Sequence, residues 1–116
     1  MLETQARPVT PETVTPIKPS EALRLGRLLY PIQNRRGQWF GIDEPSACAL
    51  GAIHAGWTGG NVVDCGIYDQ STTARLQALG IDHPSDAIGC DLFDPIARDG
   101  GDGDVAVLAY LEARGL

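Results

Sequence analysis

The stretch Pro45-Ser46-Ala47-Cys48-Ala49-Leu50-Gly51-Ala52 decides how this chain folds. It reads as a helix start, with Ser46 as N-cap, a cysteine in the first turn and almost no side-chain bulk. The helix is expected to run to about Ala55, with Gly56 as its stop. Two readings of Cys48 compete. Unpaired N–H groups at a helix start favour a thiolate, which would make Cys48 a nucleophile. Small size suits it equally to a seam where two helices approach closely. Gly51 inside a helix costs about 1 kcal/mol relative to alanine. Such a cost is offset by packing, so another backbone is expected to pass over Gly51. The neighbours of Cys48 share one property, smallness, and the stretch reads mainly as a close-packing seam with Cys48 as filler.

Working outward, Ser20 is a good N-cap for a first helix over Glu21–Tyr30, ended by Pro31. Ala22, Leu25, Leu28 and Leu29 share one face at helical spacing, with Arg24 and Arg27 off it. Residues 1–19 hold Pro8, Pro11, Pro16 and Pro19 among threonines, which predicts an extended or flexible arm. Gln38–Ile42 reads as a short strand or extended packing segment anchored by Trp39 and Phe40. Asn61–Asp69 stays ambiguous: Val62, Val63, Ile67 and Tyr68 favour a strand, and Gly66 interrupts it. Ser71 caps a short helix over Thr72–Leu79 that Gly80 stops. Pro84 and Asp94-Pro95 each signal a further short helical turn. Asp104 is the expected cap of a last helix from Val105 to about Arg114, with Gly115 as stop. The fold class is therefore mainly α: one small domain over 20–116, with four or five short helices and at most a minor two-stranded β element.

Composition narrows the function. Hydrophobic residues make up 43% and charged residues 21% of 116 positions, as in a globular domain. No apolar run is long enough for a bilayer span, and no signal-peptide pattern opens the chain, so a cytoplasmic location is expected. The net charge of -6 is unevenly placed: residues 1–58 carry six bases and five acids, residues 59–116 three bases and ten acids. Such acidity repels phosphate backbones, which argues against direct nucleic-acid binding, and it attracts basic partners.

The motif Lys18-Pro19-Ser20-Glu21-Ala22-Leu23-Arg24-Leu25-Gly26, followed by Cys48-Ala49-Leu50-Gly51-Ala52, resembles a group of small bacterial and phage-type proteins. That group reads S-E-A-I-R-L-G, then C-A-L-G-A, and closes on N-D-x-x-x-W-x-x-x-x-I-A-x-W-L. The match is good over about residues 18–55 and loose over the last twenty. Arg98 stands where the group has asparagine, and no tryptophan precedes the last helix. The resemblance implies a shared small helical fold and carries no activity.

Candidate chemistry is thin. Cys48 as a nucleophile needs a base. His54 lies six residues on, about 120° around the helix, and points elsewhere. His83, oriented by Asp82 or Asp86, could approach only through tertiary structure. Three cysteines, Cys48, Cys65 and Cys90, exclude a complete intramolecular disulfide set and lack the close pair typical of zinc sites, so free thiols are expected. The loop Asp99-Gly100-Gly101-Asp102-Gly103-Asp104 fits a calcium loop in neither register. The glycine pairs lack the lysine of a phosphate loop. No cofactor or metal is implied.

The leading expectation is a small acidic protein that acts by binding a macromolecular partner, not by catalysis. Asp91, Asp94, Asp99, Asp102 and Asp104 would present the acidic surface, joined by Trp57 if its loop exposes it. An inhibitor or regulator encoded by a phage or mobile element would suit such a chain. The alternative is a cysteine-dependent hydrolase or transferase using Cys48 and His83 with Asp82. A homodimer through the apolar last helix is a third reading.

Overall fold

The computed structural model describes residues 17–37, 39–41, 44–59 and 70–116. Its elements are α1 (Pro19–Leu29), β1 (Ile32–Gln33), β2 (Ser46–Ala47), α2 (Ala49–Thr58), α3 (Gln70–Ala78), a π-helix (Ser85–Phe93) running into α4 (Asp94–Arg98), and α5 (Gly103–Ala113). The fold is mainly α with a small two-stranded parallel sheet. Of the expected arm over residues 1–19, residues 1–16 lie outside the described residues, as does the ambiguous segment 61–69 with Cys65, while Pro19 already belongs to α1.

α1 and α2 approach most closely where glycine of one helix meets alanine of the other. A Cβ placed on Gly26 would overlap the carbonyl oxygen of Ala52, and one on Gly56 would overlap the carbonyl oxygen of Ala22. The pairs are reciprocal: Ala22 meets Gly56 and Gly26 meets Ala52, so the helices run antiparallel through two small-x-x-x-small motifs. This corrects two expectations. Gly56 does not stop α2; it lets α1 in, and Gly59, at a left-handed φ of 74°, ends the helix instead. The buried face of α1 is Pro19, Ala22, Leu23 and Gly26, while Leu25, Leu28 and Leu29 are 47%, 79% and 48% exposed. The leucine face is too bulky for this approach, so the small face turns inward. The expected pass of a backbone over Gly51 is found: a Cβ there would overlap the Trp39 carbonyl oxygen.

Helix caps also differ from expectation, each for a local reason. Pro19, with its fixed φ and missing N–H, takes the first turn of α1, and Lys18 becomes the N-cap, its N–H reaching Glu21 Oε1 at 3.3 Å. Ser20, released from capping, donates its hydroxyl (2.9 Å) and its N–H (3.1 Å) to the Leu116 carbonyl. Ser46 is taken up by β2, and Cys48 caps α2. Asp102 caps α5 through the Asp104 N–H at 3.0 Å. Asp104, inside the first turn, is free to meet Arg27.

Arg27 ties the elements together. Its Nε and Nη2 donate to the two carboxylate oxygens of Asp104 at 2.7 and 2.9 Å. Its Nη1 donates to the carbonyls of Tyr30, Ile32 and Ala47 at 3.0, 3.1 and 2.8 Å. One planar guanidinium thus joins α1, both strands and α5, an arrangement the fixed donor fork of arginine allows and lysine cannot copy. The strands themselves pair only Ile32 with Ser46 and Gln33 with Ala47, and Phe40 adds a single antiparallel bridge to Ala47.

The two turns expected at Pro84 and Asp94-Pro95 are one continuous helix. Its first part has widened to π geometry, with the Asp94 N–H bonded to the Gly89 carbonyl five residues back. Pro95, lacking an N–H, sits where the wide helix narrows to α4. Phe93, Ile88, Val107 and Leu111 from this helix and α5 close the core with Leu50, Ile53 and Leu76.

Alanine at Gly26 or Gly56 is expected to destabilise the protein by about 3 kcal/mol, because backbone, not a movable side chain, occupies the space. Alanine at Gly59, where a Cβ meets nothing, is expected to cost about 1 kcal/mol, from the left-handed φ alone. Denaturant unfolding of the three variants checks the order. Equal losses at all three positions would contradict the seam.

Candidate functional site

Cys48 is the N-cap of α2, with β-region backbone (φ -75°, ψ 179°), and its Sγ accepts from the Gly51 N–H at 3.5 Å. Its own N–H donates to the Trp39 carbonyl at 3.1 Å. The residue is 4% exposed. Burial pushes the thiol up from 9.0 to about 11, outweighing the lowering by the Gly51 and Leu50 N–H groups; Asp94 raises it further and Arg27 opposes. The helix-start effect that favoured a thiolate is thus present and loses to desolvation. Cys48 is therefore held as the neutral thiol at pH 7.

The thiol borders a small cavity of about 40 Å³, room for a water molecule. Its polar lining is Cys48, Ser85, Cys90 and Asp94, with Trp39 and Gly89 among the remainder. Cys90 is an exposed free thiol. The Asp94 carboxyl is held above its ordinary range by desolvation, with Arg98 pulling the other way. Neither His83 nor Asp82 lines this cavity; both are exposed residues ahead of the π-helix. The side chains that the fold brings to Cys48 are those of the π-helix. Sequence reasoning missed them because α-helical spacing does not put Ser85, Cys90 and Asp94 on one side.

The other singled-out residues are distributed as follows. His54 is 5% exposed, paired through Nδ1 with Thr72 Oγ1 at 2.9 Å, and packed against the rings of Trp39 and Phe40. Trp57 belongs to α2 and is 4% exposed; its Nε1 donates to the Ile17 carbonyl at 3.0 Å and Arg75 lies over its ring. It is a core residue, as an extended α2 requires, and presents nothing to a partner. Asp104 is buried against Arg27, and Asp102 caps α5 while accepting from Gln33 Nε2 at 2.5 Å. Asp94 is half-buried at the cavity. Asp91 and Asp99 remain exposed, as do Asp82 and Asp86.

Among the described residues, no three His, Cys, Asp or Glu side chains are grouped to hold a metal ion, and no helix is long and apolar enough to cross a membrane. The chain matches no family model, no curated protein and no solved structure.

Two outcomes follow for the thiols. Iodoacetamide at neutral pH is expected to label Cys90 in the native protein and Cys48 only after denaturation, read by peptide mass spectrometry. Native labelling of Cys48 faster than free cysteine would restore the nucleophile. The pH dependence has a fixed sign. Because the folded thiol binds its proton more tightly than the unfolded one, its contribution is complete below pH 9 and is lost as pH rises toward 11. The stability gap between the parent and Cys48→Ala is expected to shrink by about 2–3 kcal/mol across that window. A gap that stays constant would show that the thiol is not buried.

Proposed function

We propose that the protein acts by binding a basic macromolecular partner through the acidic surface of residues 82–102. That segment holds six aspartates and one arginine, a local charge of -5. The observation that carries the reading is the π-helix. Asp86 and Asp91, five residues apart, are one π-turn apart and lie on the same side, where an α-helix would separate them. Exposed Asp82 and Asp99 flank the helix on either side in sequence. Asp94 and Asp104 drop out of the contact surface, since they line the cavity and hold Arg27, while Asp102 stays exposed as it caps α5. The protonated state of Cys48 at neutral pH weighs against the alternative hydrolase or transferase reading. A phage-encoded or mobile-element inhibitor that shields a basic surface of a host protein is the specific form this reading takes, in keeping with the motif resemblance. The dense negative field would steer encounter and make the association salt-sensitive.

The triple variant Asp86→Asn, Asp91→Asn, Asp99→Asn removes three exposed charges without touching the core. Immobilised parent protein is expected to retain a basic partner from host extract at low salt and to release it as the ionic strength passes about 0.3 M. The triple variant, equally stable by thermal melting, is expected to retain at least tenfold less. Equal retention by both, or retention indifferent to salt, would refute the acidic contact.

A further inference from the structure

We infer that Cys48 and Cys90 form a reversible oxidation site, at which a hydroperoxide converts the two thiols into one intramolecular disulfide. Both residues border the water-sized cavity beside the start of α2. They reach it from different elements: Cys48 caps α2, and Cys90 belongs to the π-helix. The two elements touch right beside the cysteines. Gly89 has no side chain where the π-helix meets α2, and a Cβ placed on it would lie 3.6 Å from Leu50 Cδ1. Gly89 immediately precedes Cys90, and Leu50 follows Cys48 after one residue. Exposure divides the roles. Cys90 is open to an incoming oxidant, while Cys48 is 4% exposed and meets only what the cavity brings to it. The site uses none of the exposed aspartates, so it stands or falls apart from the proposed function.

Oxidation proceeds in two steps. The Cys90 thiolate attacks the hydroperoxide, the O–O bond breaks, and water or an alcohol leaves with the thiol proton. The sulfur gives two electrons to the peroxide and becomes a sulfenic acid. The Cys48 sulfur then attacks Cys90 Sγ. The S–S bond forms, the S–O bond breaks, and the departing hydroxide takes the Cys48 proton and leaves as water. Asp94, the carboxylate on the cavity wall, receives that proton and passes it to the leaving oxygen. At rest its negative charge helps to hold the proton on Cys48, and desolvation raises its own affinity for a proton. Transfer between the two never sets a thiolate beside a charged carboxylate, the arrangement that repulsion disfavours. The cavity of about 40 Å³ has room for the water that is released. A dithiol reductant reverses the bond by thiol–disulfide exchange.

Stoichiometric hydrogen peroxide added to the reduced full chain tests this, read by intact mass and by a chymotryptic map. Chymotrypsin cuts at Trp57, between Cys48 and Cys65, so the map identifies the partner of Cys90. The expected product is a single chain about 2 Da lighter, with Cys48 joined to Cys90 and both thiols restored by dithiothreitol. Cys90 joined to Cys65 or to a second chain overturns the inference. So does Cys90 that runs on to sulfinic acid, about 32 Da heavier. Cys48→Ala is expected to accumulate sulfenic acid at Cys90, trapped by dimedone, where the parent loses it to the disulfide. Equal trapping in both would remove Cys48 from the reaction. The map of the parent decides by itself should that variant fail to fold. Asp94→Asn is expected to close the disulfide on the order of tenfold more slowly, while peroxide consumption in the first step keeps the parent's rate. Closure at the parent's rate would overturn the role of Asp94.

Discussion

The close approach of α1 and α2 is the constraint on which the remaining structure depends. Two carbonyl oxygens, of Ala22 and Ala52, occupy the space that side chains of Gly56 and Gly26 would need. The reciprocal placement locks register and direction at once, because sliding either helix by one residue brings a larger side chain against backbone. Everything near the seam follows from it. The small face of α1 must point inward, so its leucines point outward. The start of α2 must sit under Trp39, whose carbonyl crosses Gly51 and accepts from Cys48. Little apolar area is gained per residue at such a seam. The gain comes from dense packing and dispersion, with the aromatic and aliphatic core on the other side of α2 supplying the hydrophobic term.

Arg27 makes the seam part of a larger unit. It leaves α1 one residue beyond Gly26, and its donors reach α5, β1 and β2. The two short strands, with so few mutual hydrogen bonds, would not hold by themselves. The guanidinium supplies what the sheet lacks, and Asp104 neutralises it in a largely buried setting. The same pairing removes one aspartate from the surface, so the electrostatic and packing accounts of the chain are joined at this residue. An acidic sequence does not present all of its acids.

Much of the fold was legible in the sequence. The helical segments, the smallness of the Cys48 neighbourhood, the backbone above Gly51 and the stops at Gly80 and Gly115 could all be read from residue type. Other features were not legible, for identifiable reasons. Periodicity showed that the first helix had an apolar face, but it could not show that a partner helix would come too close for leucine. The cap positions slid because each cap residue had a competing use: Ser20 for the C-terminal carbonyl, Ser46 for the strand, Asp104 for Arg27. The π-helix was out of reach altogether. A pattern read at 3.6 residues per turn puts Cys90 and Asp94 on one face but turns Ser85 about 140–180° away from them, and the wider turn brings it round beside Cys48. The cavity beside Cys48 was therefore invisible, while the nucleophile pair the sequence offered, Cys48 with His83, does not share it.

The central claim is that α1 meets α2 through its small face and leaves its leucines outside. Proton–proton Overhauser contacts in solution test it most directly. The account predicts contacts from the Gly26 Hα protons to Ala52 and from the Gly56 Hα protons to Ala22, with none from the Leu28 methyls to any α2 side chain of the same chain. Intramolecular contacts from the Leu25, Leu28 and Leu29 methyls to α2, with the glycine contacts missing, would contradict it.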